Sequence, residues 1–556
     1  ATPRAAEPTV TASTTPLAAP SATASTPLVA PPAAEPTARP TITPAEGAVA
    51  AVHAEQALID ALKPAIEREA TRAGTVDDRA DRGALATLYA ERGWRPLFVD
   101  PQGALAAHGR ALVARLARSD ADGMEPRDYL LPSLRAETAE ARADLEIATA
   151  LTALRWARHM QSGRIDPVRV GELVTPRVPK PDPVVVLRAL AESRDLAATL
   201  DGFAPPHEGW RRLKAELARL RAETETPVVR LPTGPTLKPG QKDARVAALR
   251  ERLGVAVTAT DAVDLYDPAL AEAVKTFQRD RGLAATGALG QSTVAALNEE
   301  ARGNADHVAD LIVNMERWRW LPRELGDLHV FVNVPDFHLD VMKDGRSIHH
   351  ARVVTGRPEN QTPIFSETME YVVVNPYWNV PYSIVKKEML AKAQASGGAA
   401  LSRGNFEVEV GNRAVDPTTV DWSTVAAHQV TIRQRPGGGN ALGNIKFMFP
   451  NQHSVYIHDT SSRGLFANSY RALSHGCVRV HEPFAFADAV LSEEPGGLGG
   501  AQLKKMLGGG EKQVMLKRQV PVHIAYFTRF VDDGGHLETR RDVYGHDARM
   551  KRLLGL

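Results

Sequence analysis

Near residue 326 the hydrophobic pattern of this chain changes period, and that change limits the fold more than any other feature. Upstream, apolar residues recur at helical spacing. Leu58, Ile59, Leu62 and Ile66 share one face, Leu112 and Leu116 another, and the Ala-rich run 147–157 behaves alike. Such spacing predicts helices that each bury one stripe. Downstream, His329-Val330-Phe331-Val332-Asn333-Val334, Leu339-Asp340-Val341-Met342 and Ala351-Arg352-Val353-Val354-Thr355 alternate or run apolar. That is the period of strands, and Lys343-Asp344-Gly345-Arg346 reads as a hairpin turn between two of them. Further strands are expected at 369–375, 428–433, 453–458 and 520–526. The expected class is a multidomain α+β chain, all-α first and mainly β second.

At 556 residues the chain has room for several domains. Residues 1–48 are rich in Ala, Pro and Thr, which offer too little apolar surface to offset ordering entropy, so a disordered tether is expected. A helical scaffold domain follows over 49–232, punctuated by Pro-rich linkers at 174–183 and 227–239. Residues 233–302 form a small helical unit with two stripes: Val246, Leu249 and Leu253, then Leu270, Val274 and Phe277. A connecting helix (303–325) leads to a β domain over 326–545, with a tail at 546–556. Residues 382–427 interrupt the β domain with a helix-like stretch from Ile384 to Ala395 and a polar segment, and read as a lid.

Composition excludes several classes of function. Lys plus Arg number 67 against 66 Asp plus Glu, so no bulk field points to nucleic acid or an anionic membrane. No apolar run reaches the roughly 18 residues a spanning helix needs. Ala1 opens no basic and apolar leader, so the expected state is cytoplasmic or the mature form of an exported precursor. A single cysteine cannot form an internal disulfide.

That cysteine, Cys477, sits in Ser474-His475-Gly476-Cys477-Val478-Arg479-Val480, nineteen positions after His458 in Val455-Tyr456-Ile457-His458-Asp459-Thr460. A thiol needs a base or a positive environment to act as a nucleophile. His458 and His475 are the candidate bases. Pairing of the two segments would bring His458 and Cys477 to one edge, the sulfur ionised beside an imidazole. Asp459 or a nearby carbonyl would fix the His458 tautomer. The N–H groups of His475, Gly476 and Cys477 could cradle an oxyanion. An inert buried thiol is disfavoured because the flanking residues are polar and tightly turned. A zinc site from Cys477, His458 and His475 with His453 or His481 matches no usual finger spacing. Asp120-Ala121-Asp122-Gly123 lacks the remaining calcium ligands and reads as a loop. Gly437-Gly438-Gly439-Asn440 lacks the Gly-Lys that completes a phosphate loop and reads as a flexible loop near the site. No metal and no cofactor are expected.

His458, fifteen intervening residues, then Ser474-His475-Gly476-Cys477-Val478-Arg479 resembles the signature of the L,D-transpeptidases, the YkuD-type catalytic domain. Thr355-Gly356-Arg357 to Thr362-Pro363 is similar to that family's strand-turn. Met315-Glu316-Arg317-Trp318-Arg319-Trp320-Leu321-Pro322, Asn375-Pro376-Tyr377-Trp378-Asn379-Val380-Pro381 and Asn440-Ala441-Leu442-Gly443 resemble its larger Gram-negative subgroup. Phe277-Gln278, with Gly282-Leu283 and the run from Gly287 through Gly290 and Thr293 to Ala296-Leu297-Asn298, resembles the three-helix peptidoglycan-binding domain. Arg479 stands where some members carry Asn, and Asp459 where others carry Ser.

The resemblance implies an enzyme that forms 3-3 cross-links through a Cys477 thioester and releases D-Ala, with His458 as proton shuttle. Donor and acceptor stem peptides are the implied partners, together with cell-wall synthesis proteins. A periplasmic location, a part in cell shape and acylation of Cys477 by carbapenems are also implied. Ser474, Arg479, Tyr377, Trp378, Asn379 and Asp459 are the candidate pocket residues. The rival readings are a hydrolase of the same bonds, a ligase joining proteins to peptidoglycan, and a non-catalytic wall-binding scaffold.

Overall fold

The computed structural model describes residues 46–223, 230–257, 263–281, 283–300 and 303–556. The tether expected over 1–48 lies outside them, save for residues 46–48, which open a helix, Glu46–Ala70. Gly282 and residues 227–229 of the second linker also lie outside. Ala1–Val52 forms one unit, described only in that helical stretch, and His53–Leu556 forms another.

In the larger unit, helices Val76–Glu91, Ala107–Leu116, Ala139–Ser162, Pro183–Glu192 and Glu208–Ala222 enclose one apolar core. Leu58, Leu62 and Ile66 enter it as their spacing predicts, while Ile59 stays partly exposed. Inside, the fully buried Glu146 carboxylate accepts the N–H groups of Leu97, Phe98 and Val99 and the Tyr89 hydroxyl. A buried carboxylate is tolerated because its lone pairs are satisfied. Asp122 lies in a short 3-10 turn, Ser119–Asp122. Its buried carboxylate is paired to Arg115 and Lys214.

The small unit packs helices Arg245–Leu253, Pro268–Asp280 and Gln291–Glu300 around Val246, Leu249, Leu270, Val274, Leu289 and Leu297. Phe277 is only partly buried, and its neighbour Gln278 lies inside. The Gln278 amide donates to the Ala288 carbonyl (2.9 Å) and to Thr293 Oγ1 (2.9 Å), and accepts the Gly287 N–H (2.9 Å). This glutamine therefore ties the loop to two helices.

Helix Asn304–Trp318 belongs to two cores at once. Leu311, Ile312 and Met315 pack into the helical core, whereas Val313 packs under the β region. Its end is pinned by charge. Fully buried Arg319 pairs with Glu316 (3.0 Å) and donates to the Asp122 carbonyl, and Arg317 pairs with Asp547 (2.6 Å).

The β region begins with β1 (Leu328–Asn333), β2 (His338–Lys343), β3 (Arg346–Gly356) and β4 (Phe365–Val374). Next come β5 (Trp378–Asn379), β6 (Phe406–Val410), β7 (Arg413–Val415) and β8 (Val430–Gln434). Then follow β9 (Ile445–Met448), β10 (Ile457–His458), β11 (Ala472–Ser474), β12 (Val478–Val480) and β13 (Lys512–Ala525). A short hairpin, β14 (Arg529–Val531) and β15 (Leu537–Thr539), ends the series. The main sheet has the order β11-β3-β12-β10-β9-β4-β13-β1-β2, and β2 also pairs with β3, so the sheet closes on itself. The turn from β2 to β3 holds Asp344 and Gly345 at positive φ, the geometry of a tight hairpin.

Several expectations change in extent; the strands expected at 369–375 and 520–526 start earlier, as β4 and β13. The strand expected over 453–458 shortens to β10, because Asn451 holds the preceding residues in a turn through its bonds to His453 and Val455. The insertion expected over 382–427 carries its helix and also a sheet, β5-β8-β6-β7, so it reaches from Trp378 to Gln434 around its own core of Ile384, Met389, Leu401, Val408, Trp422 and Ile432. The strand expected at 428–433 belongs to this lid. The segment 546–556, read as a tail, is corrected to a helix, His546–Leu554, whose Met550 is fully buried in the core of the β region. Met550→Ala is therefore expected to cost about 2–5 kcal/mol of stability. Urea unfolding followed by near-ultraviolet circular dichroism measures it, and an unchanged midpoint would contradict this packing.

Candidate active site

Cys477 closes a turn between β11 and β12. Ser474 Oγ donates to the Cys477 carbonyl (2.6 Å) and accepts the Gly476 N–H (3.1 Å). Gly476 takes φ +117°, a region that favours glycine. Thr362 Oγ1 donates to the Gly476 carbonyl (2.8 Å), and the Tyr544 hydroxyl joins the Thr362 N–H (3.1 Å) to the Gly356 carbonyl (2.7 Å). The family-like Thr-Gly-Arg and Thr-Pro pieces thus brace the cysteine turn from beneath.

β10 and β12 run parallel, with Ile457 opposite Val478 and His458 opposite Arg479. Side chains alternate across a strand. Ile457 and Val478 therefore enter the core, and Tyr456, His458, Cys477 and Arg479 share the other face. β9 adds Lys446 to that face, opposite His458, with its Nζ 5.7 Å from the centre of the Tyr456 ring. The Cys477 thiol is free and half-buried, and His458 is buried.

The electrostatics differ from the expected ionised sulfur. Burial pushes the Cys477 thiol up to about 11, although the Tyr456 N–H and hydroxyl, Arg479 and Lys446 all favour the thiolate. Burial, Arg479 and Lys446 push His458 down to about 3, against the Asp459 and Leu442 carbonyls. Both groups are thus neutral near pH 7. The His458 Nδ1–H donates to the Asp459 carbonyl (2.5 Å), which assigns the tautomer and leaves Nε2 to take a proton. Among the described residues no hydrogen bond joins the sulfur to the imidazole. The two side chains are diagonal neighbours on one face, and Tyr456 is the group facing the sulfur.

The other expected residues divide. Asp459 fixes His458 through its carbonyl. Its carboxylate accepts the N–H groups of Thr460 (2.7 Å) and Asn444 (2.9 Å) and pairs with Arg463 (2.8 Å). Gly443 packs so tightly on that carboxylate that a Cβ there would stand 2.3 Å from Asp459 Cγ. The His475 side chain turns away to the lid, where Nε2 pairs with Glu388 (2.6 Å) and lies 3.2 Å from Arg357. The Gly476 N–H is engaged by Ser474, so of the three expected oxyanion donors two remain. Arg479 shares the thiol's face, and its buried Nε has no hydrogen-bond partner. Tyr377 lies under the Arg433 guanidinium (4.9 Å) and gives its N–H to Glu511 (2.9 Å). Trp378 packs on Phe406 in the lid, and Asn379 is exposed. In the Gly437–Asn440 turn, Asn440 is buried and donates to the carbonyls of Pro376 and Arg435. Among the described residues no three His, Cys, Asp or Glu side chains gather as metal ligands would.

Sequence reasoning missed Tyr456, Lys446, Glu388 and Tyr544. Tyr456 carried a signal, two residues before His458 and so on the same face. Lys446 alternates with buried Ile445 and Phe447, but only the register shows which histidine it meets. A cavity of about 780 Å³ opens beside the cysteine turn, lined by His475, Gly476, Asn360, Tyr544, Arg549 and the loop at Glu172. Alkylation by iodoacetamide reads the thiol directly. Its rate is expected to keep rising from pH 9 toward about 11, because more thiolate forms as pH rises toward the raised pKa. A plateau reached below pH 9 would contradict a neutral resting pair.

Comparison with known proteins agrees with this order of parts. Residues 83–217 match the model of a scaffold domain, 243–297 that of a "Putative peptidoglycan binding domain", and 327–507 that of the L,D-transpeptidase catalytic domain (YkuD). A "Putative L,D-transpeptidase" of Haemophilus influenzae is 31% identical over 245 residues, covering 43% of this chain and 48% of that protein. The match therefore spans about half the relative's length. The L,D-transpeptidase crystal structure (residues 123–326) from Xylanimonas cellulosilytica is 17% identical, covering 53% of this chain and 98% of that one, at a TM-score of 0.15. A fused Zn-dependent amidase/peptidase/peptidoglycan-binding domain-containing protein from Clostridium acetobutylicum is 13% identical, covering 52% and 100%, at 0.14. TM-scores this low add nothing to the fold assignment. The family matches identify a chain that carries a scaffold domain, a peptidoglycan-binding domain and, over residues 327–507, an L,D-transpeptidase catalytic domain of the YkuD family.

Proposed function

We propose that this protein cross-links peptidoglycan by L,D-transpeptidation, with Cys477 as nucleophile and His458 as proton carrier. The observation that carries this reading is the shared face of β10 and β12, which joins a half-buried thiol, a neutral imidazole and a tyrosine. The Cys477 sulfur attacks the carbonyl of the third stem residue, a diamino acid, while its proton passes to His458 Nε2. The carbon–nitrogen bond to D-Ala then breaks, and the same proton goes to the leaving nitrogen. The thioester conserves the energy of the peptide bond, so no nucleotide is required. An amine from a second stem attacks the thioester, gives up one proton through His458, and leaves a 3-3 amide and a restored thiol.

Neutral partners leave no charged pair to be desolvated before attack, but an imidazole pushed down to about 3 is a weak base, so His458 must regain basicity when the donor binds. The N–H groups of His475 and Cys477 are the candidate oxyanion donors. The lid, tied to His475 through Glu388, would restrict water and favour the amine acceptor. The peptidoglycan-binding domain would raise the local concentration of stems. The substrate locates the reaction in the periplasm, and carbapenems are expected to acylate Cys477.

Mass spectrometry of products from tetrapeptide stems tests the reading. The wild type should yield 3-3 dimers, Cys477→Ala none, and His458→Ala at least about 100-fold fewer, as for loss of a general base. Shortened monomers without dimers would indicate the hydrolase, and a stem joined only to protein lysines the ligase. Dimers formed by Cys477→Ala would overturn the proposal.

A further inference from the structure

Three neighbouring strands set Lys446, His458 and Arg479 in one row. His458 on β10 stands opposite Lys446 on β9 and opposite Arg479 on β12. Strands lie about 4.8 Å apart, so the two cations stand about 10 Å apart at their Cα atoms, with the proton carrier between them. Both are half-buried. Neither forms an ion pair among the described residues, and the buried Nε of Arg479 has no hydrogen-bond partner. Arg357 adds a further cation near Arg479. The acid felt by Lys446 is Glu511, which gives an oxygen to the Tyr377 N–H. The thiol and the imidazole contribute no negative charge. Partly desolvated cations without a directly paired counter-charge are costly to keep, and a ligand that brings an anion relieves that cost.

The reaction proposed above brings such an anion. A donor stem that ends at D-Ala carries its terminal carboxylate one Cα beyond the leaving nitrogen. The carboxylate carbon therefore lies within about 4 Å of the carbonyl carbon under attack. A carboxylate held over the row would also set the leaving nitrogen near His458, where the proton is delivered. We propose that Lys446 and Arg479 read the terminal carboxylate of the donor stem and so select stems that end one residue past the bond to be broken. This inference rests on the transpeptidase reading and assigns a substrate contact within it. A stem one residue longer presents an amide at that place and loses the charge-assisted bonds.

The test uses the full chain and three synthetic donors: a tetrapeptide with a free D-Ala carboxylate, the same ending in D-alanine carboxamide, and one amidated on the side-chain carboxyl of the diamino acid. The wild type is expected to prefer the free acid over the carboxamide by at least about tenfold in kcat/KM, the size of a charge-assisted hydrogen bond, and to be indifferent to side-chain amidation. Lys446→Met keeps the aliphatic stem and should reduce that preference to roughly threefold or less, whereas Lys446→Arg should retain it. Both donors meet the same sulfur, so any change in thiol acidity cancels from the ratio. Equal losses on acid and carboxamide would overturn the inference, as would a preference that follows the side-chain carboxyl. If Lys446→Met does not fold, the wild-type comparison still decides, because absence of an acid preference is fatal. A wild type that turns over no donor overturns the transpeptidase reading itself.

Discussion

The site depends on one pairing, the parallel ladder between β10 and β12. Parallel neighbours cannot be joined by a tight hairpin and require a crossover of a dozen residues or more. The stretch from His458 to Cys477 is that crossover, with a short 3-10 turn (Arg463–Ala467) and β11 along the way. The spacing that marks the motif in the sequence is thus a topological length. A register slip of one residue would turn Cys477 and Arg479 into the core and Val478 toward substrate. Register is protected because Ile457 and Val478 are fully buried and cannot change faces cheaply.

The same arrangement sets the electrostatics. A face at the sheet's centre is desolvated, which favours neutral thiol and neutral imidazole over the ion pair common to exposed cysteine nucleophiles. Cations at both ends of the row oppose protonation of His458 and pull the thiol toward ionisation. Once substrate charge compensates those cations, the imidazole can accept a proton more readily. On the proposed carboxylate contact, the resting site would be quiet and reactivity would be tied to a bound donor. This gives a free thiol protection from adventitious chemistry, since the thiolate is the reactive form.

Much of the fold was legible in local pattern. Period two before and after Asp344-Gly345 gave the first hairpin, and helical spacing gave Leu58, Leu62 and Ile66 their core positions. Cys477 and His458 could be singled out as one cluster from their spacing, and the parallel register of β10 and β12 sets them on one face. What escaped depended on contacts between distant segments. Lys446 looks like one polar residue in an apolar strand until the register sets it beside His458. Helix His546–Leu554 is short and charged, and only the buried Met550 and the Asp547–Arg317 pair show why it belongs to the core. Trp378 reads as a pocket aromatic in isolation, yet Phe406, almost thirty residues on, claims it for the lid. Phe277 drew attention by hydrophobicity, whereas Gln278 does the tying, because a buried amide can join three groups and a phenyl ring none.

In the resting site an uncharged imidazole waits beside an uncharged thiol. Nitrogen-15 NMR of histidine-labelled protein observes this directly. His458 is expected to keep its Nδ1-protonated neutral tautomer between about pH 5 and pH 8 in the free protein. An imidazolium signal from His458 in that range, with Cys477 present as the thiolate, would contradict it.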